Sequence, residues 1–380
     1  MTQIRPFTLA VPQDQIDDLH RRLDLVRWPE KEPVDDWSQG VPLAALQGLV
    51  AHWRQGYDWR RCEARLNGLG QFITEIDGLD IHFLHVRSPH EGAMPLILTH
   101  GWPGSVLEFV ECIGPLTDPV AHGGRAEDAF HVVVPSLPGY GFSGKPQRTG
   151  WDVAKVGQAW AELMRRLDYE CWVAQGGDWG AIVTTVMGAQ APEGLLGIHT
   201  NMPLARILPE DRADKDPTVV AALKAGANYN EWDSGYSKIQ ATRPQTIGYG
   251  LVDSPVGLAG WIYEKMWAWT DNQGAPEDAL SRDAMLDNIM LYWLTASGAS
   301  AARMYWQSFG TIAKGSFQVD LPAGVSTFPR EITKAPRKWA ERTLRNLVYW
   351  NDCAKGGHFA AWEQPGIFVD ELRKCFALMR

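Results

Sequence analysis

The chain has 380 residues, with 36 Lys or Arg against 45 Asp or Glu and a formal net charge of −9. That balance argues against nucleic acid as the main partner, because phosphate contacts need clustered cations. Hydrophobic residues at 45% and charged residues at 21% are the composition of a globular protein and exclude a disordered one. The length predicts two or three units, or one domain with a large insertion. Tryptophan is over-represented at 18 copies, and apolar ligand pockets are one destination for such residues. The 5 cysteines are scattered without a CxxC pair, which predicts a reduced, intracellular and cytoplasmic protein. The start, Met1-Thr2-Gln3-Ile4-Arg5-Pro6, lacks a basic-then-apolar leader pattern. No stretch reaches the roughly 20 apolar residues of a membrane span.

In chain order, residues 1–92 read as a separate amino-terminal segment. Ile16, Leu19, Leu23 and Val26 repeat at helical spacing, closed by Trp28-Pro29, and a second helix runs through Leu43, Leu46, Val50 and Trp53. Phe72 to Ile76, Asp77-Gly78, and Ile81 to Val86 then alternate as a β-hairpin. From 93 to 202 the rhythm is strand, turn, helix. Apolar runs lie at Leu96 to Leu98, Val132 to Val134, Cys171 to Ala174 and Leu195 to Ile198, with a helix through Ile182 to Met187. Runs without alternation predict a parallel sheet covered on both faces. Residues 203–319 lack strand signals and read as a mainly helical cap. Within it, the uncharged run Asn288 to Ala302 reads as one buried helix. Strands return in 320–380, at Val325 to Phe328 and Leu347 to Trp350, before a last helix from Phe368 to Leu378.

The chemistry concentrates at Gly176-Gly177-Asp178-Trp179-Gly180, between a strand and a helix. A G-x-nucleophile-x-G run in that place is a nucleophile elbow, a strained turn that lifts one side chain above the sheet. The plainer reading is a glycine-rich turn whose exposed Asp caps the helix. His358 stands after the last strand, in Gly356-Gly357-His358-Phe359, and Glu331 follows the strand before it. The order nucleophile, acid, histidine is that of the α/β-hydrolase fold. Asp320 and Asp352 are competing loop carboxylates. His100-Gly101-Trp102-Pro103-Gly104-Ser105 closes the strand from Leu96. The backbone N–H groups of Trp102 and Trp179 fall where this fold builds its oxyanion hole.

An aspartate in place of serine selects the reaction. Serine alkylated at saturated carbon gives an inert ether, whereas aspartate gives an ester that activated water can cleave. The elbow therefore predicts alkyl transfer at sp³ carbon, either epoxide opening or carbon–halogen displacement. An epoxide oxygen needs a weak acid as it leaves, and a phenol of pKa about 10 qualifies. A halide needs only N–H donors. The cap supplies both kinds of group: Tyr229, Tyr236, Tyr249, Tyr263, Tyr292 and Tyr305, and Trp232, Trp261, Trp267, Trp269, Trp293 and Trp306. Composition does not choose between them.

The whole chain resembles the microsomal-type epoxide hydrolases, α/β-hydrolases with an additional amino-terminal segment. The resemblance rests on Ile4-Arg5-Pro6-Phe7, Arg27-Trp28-Pro29 and the segment from His100 to Ser105. It rests also on Pro138-Gly139-Tyr140-Gly141-Phe142-Ser143, the elbow, Asp253-Ser254-Pro255-Val256-Gly257-Leu258-Ala259 and Gly356-Gly357-His358-Phe359-Ala360-Ala361. It implies Asp178 as nucleophile, His358 as base, Glu331 as acid and Tyr236 and Tyr305 as the two cap tyrosines. Trp102, Trp179, Tyr236 and Tyr305 are then expected around a small epoxide, with neither metal nor organic cofactor. Mammalian members begin with a membrane anchor. This chain shows none, so their location does not transfer.

Other signals are set aside. Gly139 to Gly144 fits GxGxxG and, with Lys145, most of a P-loop, but residue 146 is Pro and no hydroxyl is offered to a metal ion. His82 and His85 of the hairpin are expected on opposite faces. Arg21-Arg22 and Arg60-Arg61 read as solvated helix charges. The rival readings are a haloalkane dehalogenase, marked by halide release without diol formation, and a non-catalytic ligand-binding protein on the same fold.

Overall fold

The computed structural model describes residues 3–315 and 317–380, so the leader reading at Met1-Thr2 lies outside the described residues. The amino-terminal segment contains strand β1 (Arg5–Phe7) and helices α1 (Gln13–Asp24), α2 (Leu43–Gln55) and α3 (Trp59–Asn67). Helix α1 buries Ile16, Leu19 and Leu23, and α2 buries Leu49, Val50 and Trp53. Helix α1 stops at Asp24, ahead of Val26 and the Trp28-Pro29 pair. Helix α3 starts where the Asp58 carboxylate accepts the Arg60 N–H at 2.9 Å, an N-cap of the usual kind. The hairpin is β2 (Gln71–Ile76) and β3 (Leu79–Val86). Its turn residues Asp77 and Gly78 have φ of 51° and 77°, the left-handed pair that matches strand twist.

The hairpin joins a nine-stranded sheet of order β1-β2-β3-β5-β4-β6-β7-β8-β9. The other strands are β4 (Met94–Thr99), β5 (Phe130–Pro135), β6 (Trp172–Gly176), β7 (Leu195–Thr200), β8 (Val319–Thr327) and β9 (Leu344–Asp352). Strands β1, β2, β3 and β5 pair antiparallel in turn, and β5 through β9 are parallel. The central strands β4 to β7 are buried almost residue by residue, as a parallel sheet with helices on both faces requires. The core helices are α4 (Val110–Thr117), α5 (Val153–Arg166), α6 (Trp179–Gln190), α13 (Arg337–Ala340), α14 (Ala360–Glu363) and α15 (Pro365–Phe376). This is an α/β-hydrolase fold.

Between β7 and β8 lie helices α7 (Pro217–Asn228), α8 (Gly235–Thr242), α9 (Pro244–Asp253), α10 (Pro255–Trp269), α11 (Arg282–Leu294) and α12 (Gly298–Lys314). The run Asn288 to Ala302 is not one buried helix. Helix α11 ends at Leu294 and α12 begins at Gly298, with Ala296 at φ 48° between them. Thr295 Oγ1 donates back to the Leu291 carbonyl at 2.7 Å, and Lys145 Nζ donates to the Ala296 carbonyl at 3.0 Å. Side chain and lysine thus satisfy polar groups that a continuous helix would have needed.

The two arginine pairs need correction, because Arg22, Arg60 and Arg61 are not simply solvated. Arg22 Nη1 donates to the Asp253 carbonyl at 2.8 Å, and Arg61 Nη2 lies 3.0 Å from both Asp287 carboxylate oxygens. Tyr57 donates to Asp287 at 2.7 Å, and His52 Nε2 is 2.7 Å from Asp283. The amino-terminal helices are thereby fastened to α9 and α11. Arg60 turns inward to Glu63 and the Val11 carbonyl. His82 is buried against Ser136 and Gln71, whereas His85 bonds Tyr169. Among the described residues no helix is long and apolar enough to cross a membrane.

Candidate active site

Strand β6 ends at Gly176 and α6 begins at Trp179, leaving Asp178 at φ 51° and ψ −127°. That conformation is strained for a residue with a Cβ. The close approach of neighbouring backbone explains the flanking glycines. A Cβ on Gly176 would collide with the Gly180 carbonyl, and one on Gly180 with the Thr99 carbonyl. Although Asp178 occupies the N-cap position of α6, its side chain makes no capping hydrogen bond. It turns instead to the end of β4, where Oδ1 accepts the Trp102 N–H at 2.8 Å. Its Oδ2 lies 3.2 Å from His358 Nε2. The plainer reading of this carboxylate as a helix cap does not hold.

His358 is placed from behind. A bridge pairs Arg330 with Gly357, bringing the ends of the β8 and β9 loops together. Gly356 takes φ 113°, and the His358 N–H donates to the Trp269 carbonyl at 2.9 Å. Glu331 Oε1 lies 2.7 Å from His358 Nδ1 and also accepts the Ile332 N–H at 2.7 Å. Both side chains are buried. Burial disfavours the imidazolium, but the Glu331 and Asp178 carboxylates outweigh it and hold the His358 pKa well above the ordinary value. The competing carboxylates have other partners: Asp352 accepts from Thr327 and Trp350, and Asp320 from Gln318.

The backbone donors differ. The Trp102 N–H already reaches the Asp178 carboxylate. Trp179 is the first residue of α6, so its N–H has no acceptor within the helix. Above them, Tyr236 of α8 stacks on the Trp102 ring at 4.9 Å and 10°. Tyr305 of α12 meets Trp179 edge-on at 4.7 Å and 85°. The two phenol rings are 5.9 Å apart. The Tyr236 hydroxyl is 3.0 Å from that of Tyr229, whereas the buried Tyr305 hydroxyl has no hydrogen-bond partner among the described residues. Burial raises both phenol pKa values well above 10, and the nearby Asp178 charge adds to it. At neutral pH both carry their protons.

The other cap aromatics separate by environment. Tyr263 donates to Glu277 and Tyr292 to the Gly104 carbonyl. Tyr249, Trp306 and Trp232, the last 76% exposed, face outward. Two residues that motif reading passed over, Lys265 and Asp233, also belong to the site, together with Trp269 from among the cap tryptophans. Lys265 of α10, 5% exposed, holds Nζ 4.7 Å from the Tyr236 ring centroid and 2.6 Å from Asp233 Oδ1. The same Asp233 accepts the Trp269 indole N–H at 2.7 Å. The Trp269 ring then packs 5.0 Å from His358 and 5.1 Å from Tyr236. The adjacent charges Glu264 and Lys265 in the largely apolar α10 were the available signal, since charges on such a helix must have partners.

Comparison with known proteins finds relatives along the whole chain. The family described as "Epoxide hydrolase N terminus" matches residues 4–109, and "alpha/beta hydrolase fold" matches residues 94–237. A Stigmatella aurantiaca protein named provisionally as an epoxide hydrolase is 59% identical over 99% of this chain and 86% of its own length. Epoxide hydrolase 1 of Oryctolagus cuniculus is 35% identical over 99% of this chain and 89% of its own. The solved Aspergillus niger epoxide hydrolase superposes with a TM-score of 0.90 at 32% identity, covering 100% of this chain and 97% of the other. The juvenile hormone epoxide hydrolase of Bombyx mori does so with a TM-score of 0.90 at 31% identity, covering 100% and 95%. With the α/β-hydrolase architecture and relatives spanning its length, this chain belongs to the epoxide hydrolase family and is an enzyme of that class.

Proposed function

We propose that the enzyme converts an apolar epoxide to a vicinal diol through a covalent ester on Asp178. The observation that carries this reading is the dual engagement of one carboxylate. Asp178 Oδ1 rests on the Trp102 N–H, and Oδ2 stands beside His358 under two protonated phenols. In the first half-reaction an Asp178 oxygen attacks a ring carbon and the carbon–oxygen bond of the epoxide breaks. Tyr236 or Tyr305 gives its proton to the departing oxygen and becomes a phenolate. In the second, His358, oriented by Glu331, takes a proton from water, and the hydroxide oxygen bonds to the ester carbon. The Trp102 and Trp179 N–H groups hold the oxyanion. As the ester breaks, His358 protonates the diol oxygen, and the second water proton restores the phenol. Carboxylate and phenols return to their starting states, and His358, which released a proton to solvent when Asp178 became an ester, regains one when the carboxylate is restored. The walls formed by Trp102, Trp179, Trp269 and the two tyrosines favour an apolar substrate.

A single turnover in heavy-oxygen water tests the scheme. The first diol should carry unlabelled oxygen from Asp178, and label present at once would mean direct attack by water. Asp178→Ala should abolish ester formation and turnover. His358→Gln should form the ester but fail to clear it, leaving the adduct visible by intact mass. Loss of one phenol should slow alkylation by about 10²-fold or more.

A further inference from the structure

Beneath Asp178, at the ends of β6 and β7, lies a small chamber with a volume of about 10 Å³. That is room for about one water and for no epoxide. Its polar lining is Glu108, Gln175, Asp178, Asn201 and His358, and among the described residues none of α7 to α12 reaches it. Gln175 is fully buried. Its Nε2 donates to Asn201 Oδ1 at 3.0 Å, and its Oε1 has no partner among the described residues. A buried acceptor left unpaired is costly and needs an explanation. Glu108 stands in the 3₁₀ turn Val106–Phe109 that follows the Trp102 segment. Its carboxyl group lies over Gly104 so closely that a Cβ there would collide with it.

We propose that this chamber seats the hydrolytic water and that Gln175 and Glu108 are its positioning residues, a proposal that rests on the covalent-ester reading above. The water donates one hydrogen to His358 Nε2 and the other to Gln175 Oε1. Burial pushes the Glu108 pKa up to about 8, with the His358 cation opposing and the Asp178 charge adding to the rise. Glu108 therefore keeps its proton at neutral pH and donates it as a hydrogen bond to the water oxygen. One lone pair is left, aimed at the Asp178 ester carbon. Removal of the proton by His358 leaves hydroxide bonded to that carbon, and Glu108 steadies the oxygen without surrendering its own proton. Epoxide and water thus reach the carboxylate from opposite sides: the alkyl group from beneath the cap, the water from the ends of β6 and β7.

The test separates the two half-reactions with styrene oxide as the probe, by rapid quench and intact mass. Gln175→Met and Glu108→Met keep side-chain length but remove the polar partner. Each should leave alkylation unchanged and slow ester hydrolysis about 10- to 100-fold, so that adduct accumulates. Glu108→Gln, which still donates and accepts, should recover most of the rate. Unchanged hydrolysis in both methionine variants, or equal losses in both steps, would overturn the proposal. If a methionine variant does not fold, Gln175→Asn withdraws the same acceptor and is read the same way. A second measurement needs no epoxide. In heavy-oxygen water Asp178→Asn should slowly hydrolyse its own amide, releasing ammonia and gaining one heavy oxygen, and adding Gln175→Met should suppress that gain. If styrene oxide yields no ester in the wild type or in His358→Gln, the covalent reading fails instead, and the amide measurement still judges the chamber.

Discussion

Alkylation of Asp178 changes the charge that His358 feels. In the free enzyme two carboxylates hold the buried imidazole in its protonated form against the cost of burial. Once Asp178 is an ester, only Glu331 remains, the proton is held less tightly, and the imidazole becomes a base when a base is needed. Acid restores the imidazolium and slows hydrolysis, while alkylation, which needs no base, continues. The share of enzyme trapped as ester should therefore rise as pH falls from about 8 to about 6. A flat share by quenched intact mass would exclude His358 as the base. Lys265 bears on the other half-reaction. Its ammonium lies 4.7 Å from the Tyr236 ring centroid, where it favours the phenolate left after proton transfer. Lys265→Met should slow alkylation roughly tenfold, equivalent to ~1–2 kcal/mol, and leave ester hydrolysis intact. Lys265→Arg should be milder. Stopped-flow tryptophan fluorescence reads both.

Between elements, the contact of α3 with α11 is the place to test how the cap is held. Asp287 is buried, and burial raises its pKa against the pull of Tyr57 and Arg61. Arg61 is itself nearly half exposed, so the pair is worth less than a buried one. Arg61→Ala leaves Asp287 with Tyr57 alone and should cost about 1–3 kcal/mol in urea unfolding. Adding Asp287→Asn should recover part of the loss. These contacts also mark what the sequence does not disclose. The hairpin was legible because Asp77-Gly78 and its flanking alternation are local. The elbow was legible because five consecutive residues specify one turn. Arg61 and Asp287 lie 226 positions apart, and neither leaves a local trace of the other. The break at Ala296 was hidden for a related reason. Thr295, Ser297 and Gly298 are compatible with a helix, and the partners that stabilise the turn, among them Lys145, come from elsewhere.

Across the molecule, the alternation of strand and helix announced the parallel sheet, since covered strands must be apolar on both faces. Pairing of the amino-terminal hairpin with that sheet was not announced, because strands with one wet face pair equally well by themselves. The pairing has a practical bearing on attempts to shorten the enzyme. Strand β3 is hydrogen-bonded along β5 from Phe83 to Val86, so the leading segment forms one border of the same sheet that carries Asp178. A variant starting after Val86 would bare the amide row of β5, an open template for self-association. It would also strip Asp283 and Asp287 of their partners. Size-exclusion chromatography of that variant should give aggregate in place of a discrete species. Any minimal version, or any transplant of the reactive centre into a smaller scaffold, has to bring this border with it or supply a substitute.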